Sequence, residues 1–257
     1  MATISAIVIT LNEEDRIGRC LKSLEGIAGE IVVVDSFSAD STAEICSDMG
    51  ARVYTREFTG YRDQKEYATS LAVNDHIISI DADEEISPDL RRSLLMIINQ
   101  DTLRDYYTMN RLNICCGKVV KHSGLYPDRK IRIFNRTNCR WGEYNVHERV
   151  IPGKGTSGEH LKGNLIHHAY NSFDDFDRKI RHYSVISARE YHYAGKRTGP
   201  LAPYLHMSWR FFRNYFLRRG MFAGRCGYRI CSITAKGVYL KYKELRRLQK
   251  EQDRNGE

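Results

Sequence analysis

Over the first hundred residues, short runs of β-branched and aliphatic residues alternate with stretches whose apolar positions recur every three or four places. That alternation is the pattern of a parallel sheet flanked by helices. Ile4 to Thr10 predicts a first strand, and Asn12 to Leu24 a helix with Ile17, Cys20, Leu21 and Leu24 on one face. Glu30 to Asp35 predicts a second strand. The stretch Ser36-Phe37-Ser38-Ala39-Asp40-Ser41-Thr42 then offers several caps for a helix over Ala43 to Met49, which Gly50 closes. Arg52 to Thr55, Tyr61 to Val73 and His76 to Ile80 read as strand, helix and strand, the last running into Asp81-Ala82-Asp83. A helix from Pro88 to Asn99 continues the series. Four βα units in a row predict a Rossmann-like α/β fold with a mostly parallel central sheet flanked by helices.

From Tyr106 the runs shorten and become more polar, so residues 106–170 are expected to hold short strands and loops, such as Lys130 to Phe134 and Asn164 to His168. Helical periodicity returns at Phe173 and persists to the end, with a break near Pro200 and Pro203. The expected organisation is a domain over 1–170, divided near residue 100, and a helical C-terminal extension over 171–257.

Charge sharpens this division. The net charge is +8, yet between residues 178 and 250 there are 18 Lys or Arg against only Glu190 and Glu244, so the rest of the chain is net acidic. A basic extension on an acidic body points to an anionic partner for the extension, either phospholipid headgroups or nucleic acid. The apolar runs, such as Ile31 to Val34 and Ile77 to Ile80, fall far short of the roughly 20 residues that cross a bilayer. With no secretory pattern at the N-terminus, the expected compartment is the cytoplasm. Seven scattered cysteines, of which only Cys115 and Cys116 are adjacent, predict reduced, packed thiols rather than a disulfide framework or a zinc site.

Ligands of open α/β sheets lie beyond the carboxyl ends of the strands, and polar residues gather there: Thr10-Leu11-Asn12-Glu13-Glu14, Asp35-Ser36 and Asp81-Ala82-Asp83-Glu84. No Gly-x-Gly-x-x-Gly or Walker lysine loop follows the first strand, which disfavours a dinucleotide enzyme or a P-loop NTPase. Two carboxylates on alternate residues after an apolar strand suit Mg²⁺ or Mn²⁺ bound to a nucleoside diphosphate, with the ion acting as a Lewis acid toward the leaving group. The other reading is that they only end a strand and cap a helix.

Further segments make the pattern specific: Ile7-Val8-Ile9-Thr10-Leu11-Asn12-Glu13-Glu14, Ile31-Val32-Val33-Val34-Asp35-Ser36, Gly60-Tyr61-Arg62-Asp63-Gln64-Lys65, Ile80-Asp81-Ala82-Asp83-Glu84, Tyr126-Pro127-Asp128, Arg132-Ile133-Phe134, Val146-His147-Glu148 and Gly220-Met221-Phe222-Ala223-Gly224. In this order the chain resembles the family 2 glycosyltransferases of the GT-A fold and, within them, the lipopolysaccharide core β-1,4-glucosyltransferase group. The resemblance implies a nucleotide-binding half over 1–100 and an acceptor half over 101–170. It also implies inverting transfer of a hexose, glucose above all, from a UDP-sugar to a saccharide acceptor. Thr10, Asn12 and Glu13 would line the nucleotide pocket, Asp35 would bond uracil or ribose, Gln64 and Lys65 would approach the base or diphosphate, and Asp81 would contact ribose. Asp83, with Asp81 and His167, would form the metal shell for Mg²⁺ or Mn²⁺. Glu148 is the leading candidate for the base that removes the acceptor proton, with Asp128 and Glu143 as rivals. For Asp35 and Lys65 the structural alternatives are a helix cap and a solvated helix face. The tail departs from the family's Gly-x-x-Asp-Gly by carrying Ala223.

In Trp209-Arg210-Phe211-Phe212-Arg213-Asn214-Tyr215-Phe216-Leu217-Arg218-Arg219 aromatic and arginine side chains interleave, as in a helix lying at a membrane interface, though a helix packed on the body is also compatible. Together these readings lead to an enzyme acting on a lipid-linked glycan, peripheral on the inner face of the cell membrane, without a nucleic-acid partner. Transfer to a protein or polyprenyl phosphate, a nucleic-acid-binding protein and a non-catalytic member of the fold remain the alternatives.

Overall fold

The structure is a computed structural model that describes residues 3–142 and 148–255. The strands and helices in chain order are β1 (Ile4–Thr10), α1 (Glu14–Leu24), β2 (Glu30–Asp35), α2 (Thr42–Asp48), β3 (Arg52–Thr55), α3 (Tyr61–Leu71), β4 (His76–Asp81), β5 (Glu84–Ile86), α4 (Pro88–Ile98), β6 (Tyr106–Cys115), β7 (Lys118–Val119), β8 (Asp128–Asn135), β9 (Cys139–Trp141), β10 (Val150–Pro152), β11 (Gly158–Tyr170), α5 (Phe173–Tyr193), α6 (Ala202–Phe212) and α7 (Gly224–Asn255). A π-helical turn, Arg213–Leu217, and a 3-10 turn, Gly220–Ala223, join α6 to α7. The chain divides into two compact units. One holds residues 1–112 and 128–167, the other 113–127 and 168–257.

In the first unit, β1, β2, β3 and β4 are parallel in the order β3-β2-β1-β4. The sheet then turns antiparallel through β8 and β6 and ends on β11 and β5. Alternation within β1 shows why the parallel strands are near-continuous apolar runs. Ile4, Ala6 and Val8 pack with Ile17, Leu21 and Leu24 of α1 in one core, while Ile7 packs with Val32, Val34, Ala68 and Trp141 in another. Successive side chains of a strand point to opposite faces, so a strand covered on both sides needs apolar residues at every position. The parallel register sets Thr10 opposite Asp35 and Ile9 opposite Asp81, which brings the polar strand ends to one edge.

The antiparallel half is more regular than its sequence suggests. β6 and β11 span 10 and 13 residues where short strands were expected. Both carry many polar residues, and β11 is largely exposed along its first half, so the apolar signal is diluted although the hydrogen-bonded ladder persists.

In the second unit, Phe176 of α5 packs with Cys226 and Ile230 of α7 and with Cys115 and Val120 from the 113–127 segment. All seven cysteines are free, and only Cys116 is not fully buried.

A tight junction fixes β11 against α4. Ser87 caps α4 by accepting from the Leu90 amide, Pro88 occupies the first turn, and Ser87 also accepts from the Asn164 amide. Gly163, at φ +100°, sits beside this junction, where a Cβ would lie 2.2 Å from the Leu90 backbone nitrogen. Gly163→Ala therefore carries both left-handed strain and a backbone clash, and should lower unfolding stability by about 2 kcal/mol or more. The urea midpoint, compared at unchanged slope, measures this.

Candidate active site

The carboxyl ends of β1, β2 and β4 meet α3, β5, β8 and β11 at a dense set of charges. Lys65, from α3, is only 2% exposed, and its Nζ lies 2.7 Å from Asp81 Oδ1 and 2.7 Å from Glu148 Oε1. The solvated helix face considered for Lys65 is therefore replaced by a buried double ion pair. Arg132 of β8 donates from Nη2 to Asp81 Oδ2 at 2.9 Å and also pairs with Glu84. Arg111 of β6 lies 3.6 Å from the same Glu84 and donates at 2.8 Å to Asp128, which Lys130 approaches at 3.3 Å. The result is an unbroken alternation of sign: Glu148, Lys65, Asp81, Arg132, Glu84, Arg111, Asp128.

Burial alone would raise the carboxyls of Asp81, Glu84 and Asp128, and the cations decide how far each resists. For Asp81, the Arg132 and Lys65 charges and hydrogen bonds overcome burial and hold the carboxyl well below its usual range. Asp128 is likewise lowered against its burial, by Arg111 and Lys130. Glu84 goes the other way: burial, aided by the nearby Asp81 charge, pushes it up despite Arg132. Its Oε2 accepts from the Asp81 backbone amide at 3.1 Å, so it ties the end of β4 back onto β5.

Asp83 and His167 form a second, adjacent group. β5 pairs antiparallel with β11, with Glu84 opposite His167. This register puts His167 Nε2 3.2 Å from Asp83 Oδ2. Burial opposes ionisation of Asp83, but the His167 hydrogen bond and charge lower its carboxyl below the usual value. Among the described residues no three His, Cys, Asp or Glu side chains converge as a ready metal shell. Asp81, expected beside Asp83 in that shell, is turned instead onto two buried cations, Lys65 and Arg132. Asp83 and His167 remain as a carboxylate and imidazole pair whose lone pairs fit a borderline-hard divalent ion.

The residues expected at the nucleotide cluster at the same edge. Asp35 accepts from the Ser38 amide at 2.8 Å and from its hydroxyl, so it braces the loop after β2. Asn12, at φ +53°, joins the β1 and β2 loops: its amide donates to Ser38 Oγ and its Oδ1 accepts from the Ala39 amide, each at 2.8 Å. Glu13 pairs with Arg16 at 2.9 Å, and its amide donates to Thr42 Oγ1. Gln64 donates from Nε2 to Ser36 Oγ at 2.9 Å, while its buried Oε1, like Thr10 Oγ1, finds no partner among the described residues. Glu143, with Val146 and His147, lies outside the described residues.

Arg132, Glu84 and Arg111 received no role from sequence, although two of them stood in motifs singled out there. A signal existed: an arginine between Ile131 and Ile133 in an apolar strand must find a buried countercharge. Trp141 also belongs here, with the Lys65 ammonium 5.8 Å from its ring centre and its Nε1 donating to Thr69 Oγ1 at 3.1 Å.

Residues 5–180 match the profile of glycosyl transferase family 2. A glycosyltransferase of Rickettsia typhi is 32% identical over 96% of this chain and 88% of its own length. A lipopolysaccharide core biosynthesis glycosyltransferase of Rhizobium meliloti is 31% identical over 87% of this chain and 83% of its own. Among solved structures, glucosyl-3-phosphoglycerate synthase of Mycobacterium tuberculosis aligns over 44% of each chain at 24% identity and a TM-score of 0.36, less than half the length of that protein.

Arg132→Met would leave Asp81 and Glu84 buried without their shared cation, and should cost about 3–5 kcal/mol at neutral pH. Asp81, held low in the native protein, contributes stability above about pH 4 that is lost as the pH falls through its depressed value. In the variant both carboxyls titrate higher and protonate sooner, so the deficit against the native chain should narrow from pH 7.5 to about pH 5. Urea unfolding at the two pH values checks the sign.

Proposed function

The chain belongs to glycosyl transferase family 2, and we propose that it moves a hexose, glucose above all, from a UDP-sugar to a saccharide hydroxyl with inversion at the anomeric carbon. The observation that carries this reading is the convergence of Lys65, Asp81, Asp83, Glu148 and His167 at the carboxyl edge of the parallel strands. The same edge holds Thr10, Asn12, Asp35 and Gln64, polar groups suited to a nucleoside.

In this reading Asp83 and His167 would hold a Mg²⁺ or Mn²⁺ ion, which would supply Lewis-acid stabilisation of the leaving diphosphate. Lys65 sits where it can exchange its contact with Asp81 for a donor phosphate. Glu148 serves as the base toward the acceptor hydroxyl. Against Asp128 stands its electrostatics: Arg111 and Lys130 hold its carboxyl low, and a lowered carboxylate accepts a proton less readily. Glu148 faces the single cation Lys65 among its described ion-pair partners.

The Rhizobium meliloti relative supports an acceptor in a cell-surface glycan carried on lipid. This reading puts the reaction in the cytoplasm, at the inner face of the cell membrane.

Calorimetric titration with UDP and UDP-glucose, with and without Mn²⁺, tests the donor side. Binding should depend on the ion, and Asp83→Asn should remove that dependence. Ion-independent UDP binding in both proteins would refute the metal assignment. Glu148→Gln should leave donor affinity within a few-fold while lowering kcat by about 10²–10⁴, and a kcat unchanged in the variant would exclude Glu148 as the base.

A further inference from the structure

The second unit presents a surface the chemistry above does not use. Along α6 and the π-helical turn, Leu205, Trp209, Phe212 and Phe216 follow the i, i+4, i+7, i+11 spacing of one helix face. All four are exposed, Trp209 at 54%. Their rings form a ridge: Trp209 and Phe212 centroids lie 6.1 Å apart and Phe212 and Phe216 5.3 Å. The opposite face is the packed one. Pro203 and Asn214 are buried on it, and His206 stacks on Tyr242 of α7 at 4.1 Å. Beyond the π-helical turn the ridge continues through Phe222, 70% exposed.

The charges around the ridge have one sign. From Tyr191 to Lys243 the chain contains 11 Lys or Arg and not one Asp or Glu. Arg218, Arg219 and Arg225 are exposed beside it and make no ion pair among the described residues. Burial and the neighbouring Arg213 and Arg218 together lower the affinity of Arg210 for its proton, a sign of guanidiniums crowded without a countercharge. A contiguous exposed apolar ridge is uncommon on a surface that faces only water. Surrounded by unpaired arginines, it combines the two elements that hold a helix at an anionic interface: side chains that enter the acyl boundary and cations that meet phosphate.

We propose that this ridge docks on an anionic lipid bilayer, with Trp209, Phe212, Phe216 and Phe222 entering the interface and Arg218, Arg219 and Arg225 binding headgroup phosphates. A second copy of the chain is a poor occupant, since a symmetric contact would set arginine against arginine. Nucleic acid would satisfy the arginines but leave the aliphatic Leu205 and Leu217 uncovered. The docking does not depend on the transfer chemistry proposed above.

The test uses the full chain with vesicles of phosphatidylcholine alone or mixed with phosphatidylglycerol, at near-physiological salt. Co-sedimentation should require the anionic lipid. Trp209 and the buried Trp141 are the only tryptophans, so a blue shift of emission on vesicle addition that Trp209→Phe abolishes reports insertion of the ridge. Arg219→Gln with Arg225→Gln should weaken partitioning roughly 30-fold, and Trp209→Ser with Phe216→Ser should abolish the sedimentation. Far-UV circular dichroism on each variant keeps loss of fold distinguishable from loss of docking. The proposal is overturned by absence of vesicle binding, by binding that these folded variants leave unchanged, or by a Trp209 blue shift that appears on self-association or on adding duplex DNA instead of lipid.

Discussion

Arg132 is the side chain on which the arrangement of the site rests. It lies in the middle of the sheet, 7% exposed, and touches the carboxylates of both β4 and β5. A guanidinium cannot shed its charge to suit an apolar setting, so the folded chain must supply it with anions, and Asp81 and Glu84 are the anions within reach. Once they are fixed, Lys65 is drawn in to balance Asp81, Glu148 to balance Lys65, and Arg111 to share Glu84 with Arg132. Removing one charge here exposes the next. The geometry is therefore collective, and the proton affinities of Asp81, Glu84 and Asp128 are set by charged neighbours drawn from several elements.

The parallel half of the fold was readable because burial on both faces leaves a loud signal. Apart from β5, strand and helix bounds over residues 4–98 fall within two residues of those expected, and the polar strand ends come together as the topology requires. The antiparallel half was much less readable. β5 is three residues long and contains two glutamates, one of them fully buried, so no propensity or pattern would nominate it. Yet its pairing with β11 is what places His167 beside Asp83. The residue types expected for chemistry were recognisable one by one from their motifs. Their partners were not, because a buried ion pair joins residues 16 to 83 positions apart along this chain and leaves no local periodicity.

Two constraints of opposite character are visible in the two units. The first concentrates charge where water is scarce, which makes each contact directional. The second sets arginines that make no ion pair among the described residues along an apolar ridge where water is abundant, so its contacts are broad rather than directional. The chain's net charge of +8 is the sum of these two, and by itself describes neither.

The segment 113–127 departs from the first unit and returns to it, while its apolar side chains Cys115 and Val120 pack with Phe176, Cys226 and Ile230, which come more than fifty residues later. On a ribosome the first unit would be complete, through β11, while this segment still waited for its cover. Cutting the chain after residue 170 would remove Phe176, Cys226 and Ile230 from that cluster, so a shortened protein or a chimaera joined at that single point would inherit a more exposed apolar patch. The two units can be exchanged between relatives only by moving 113–127 together with the C-terminal helices.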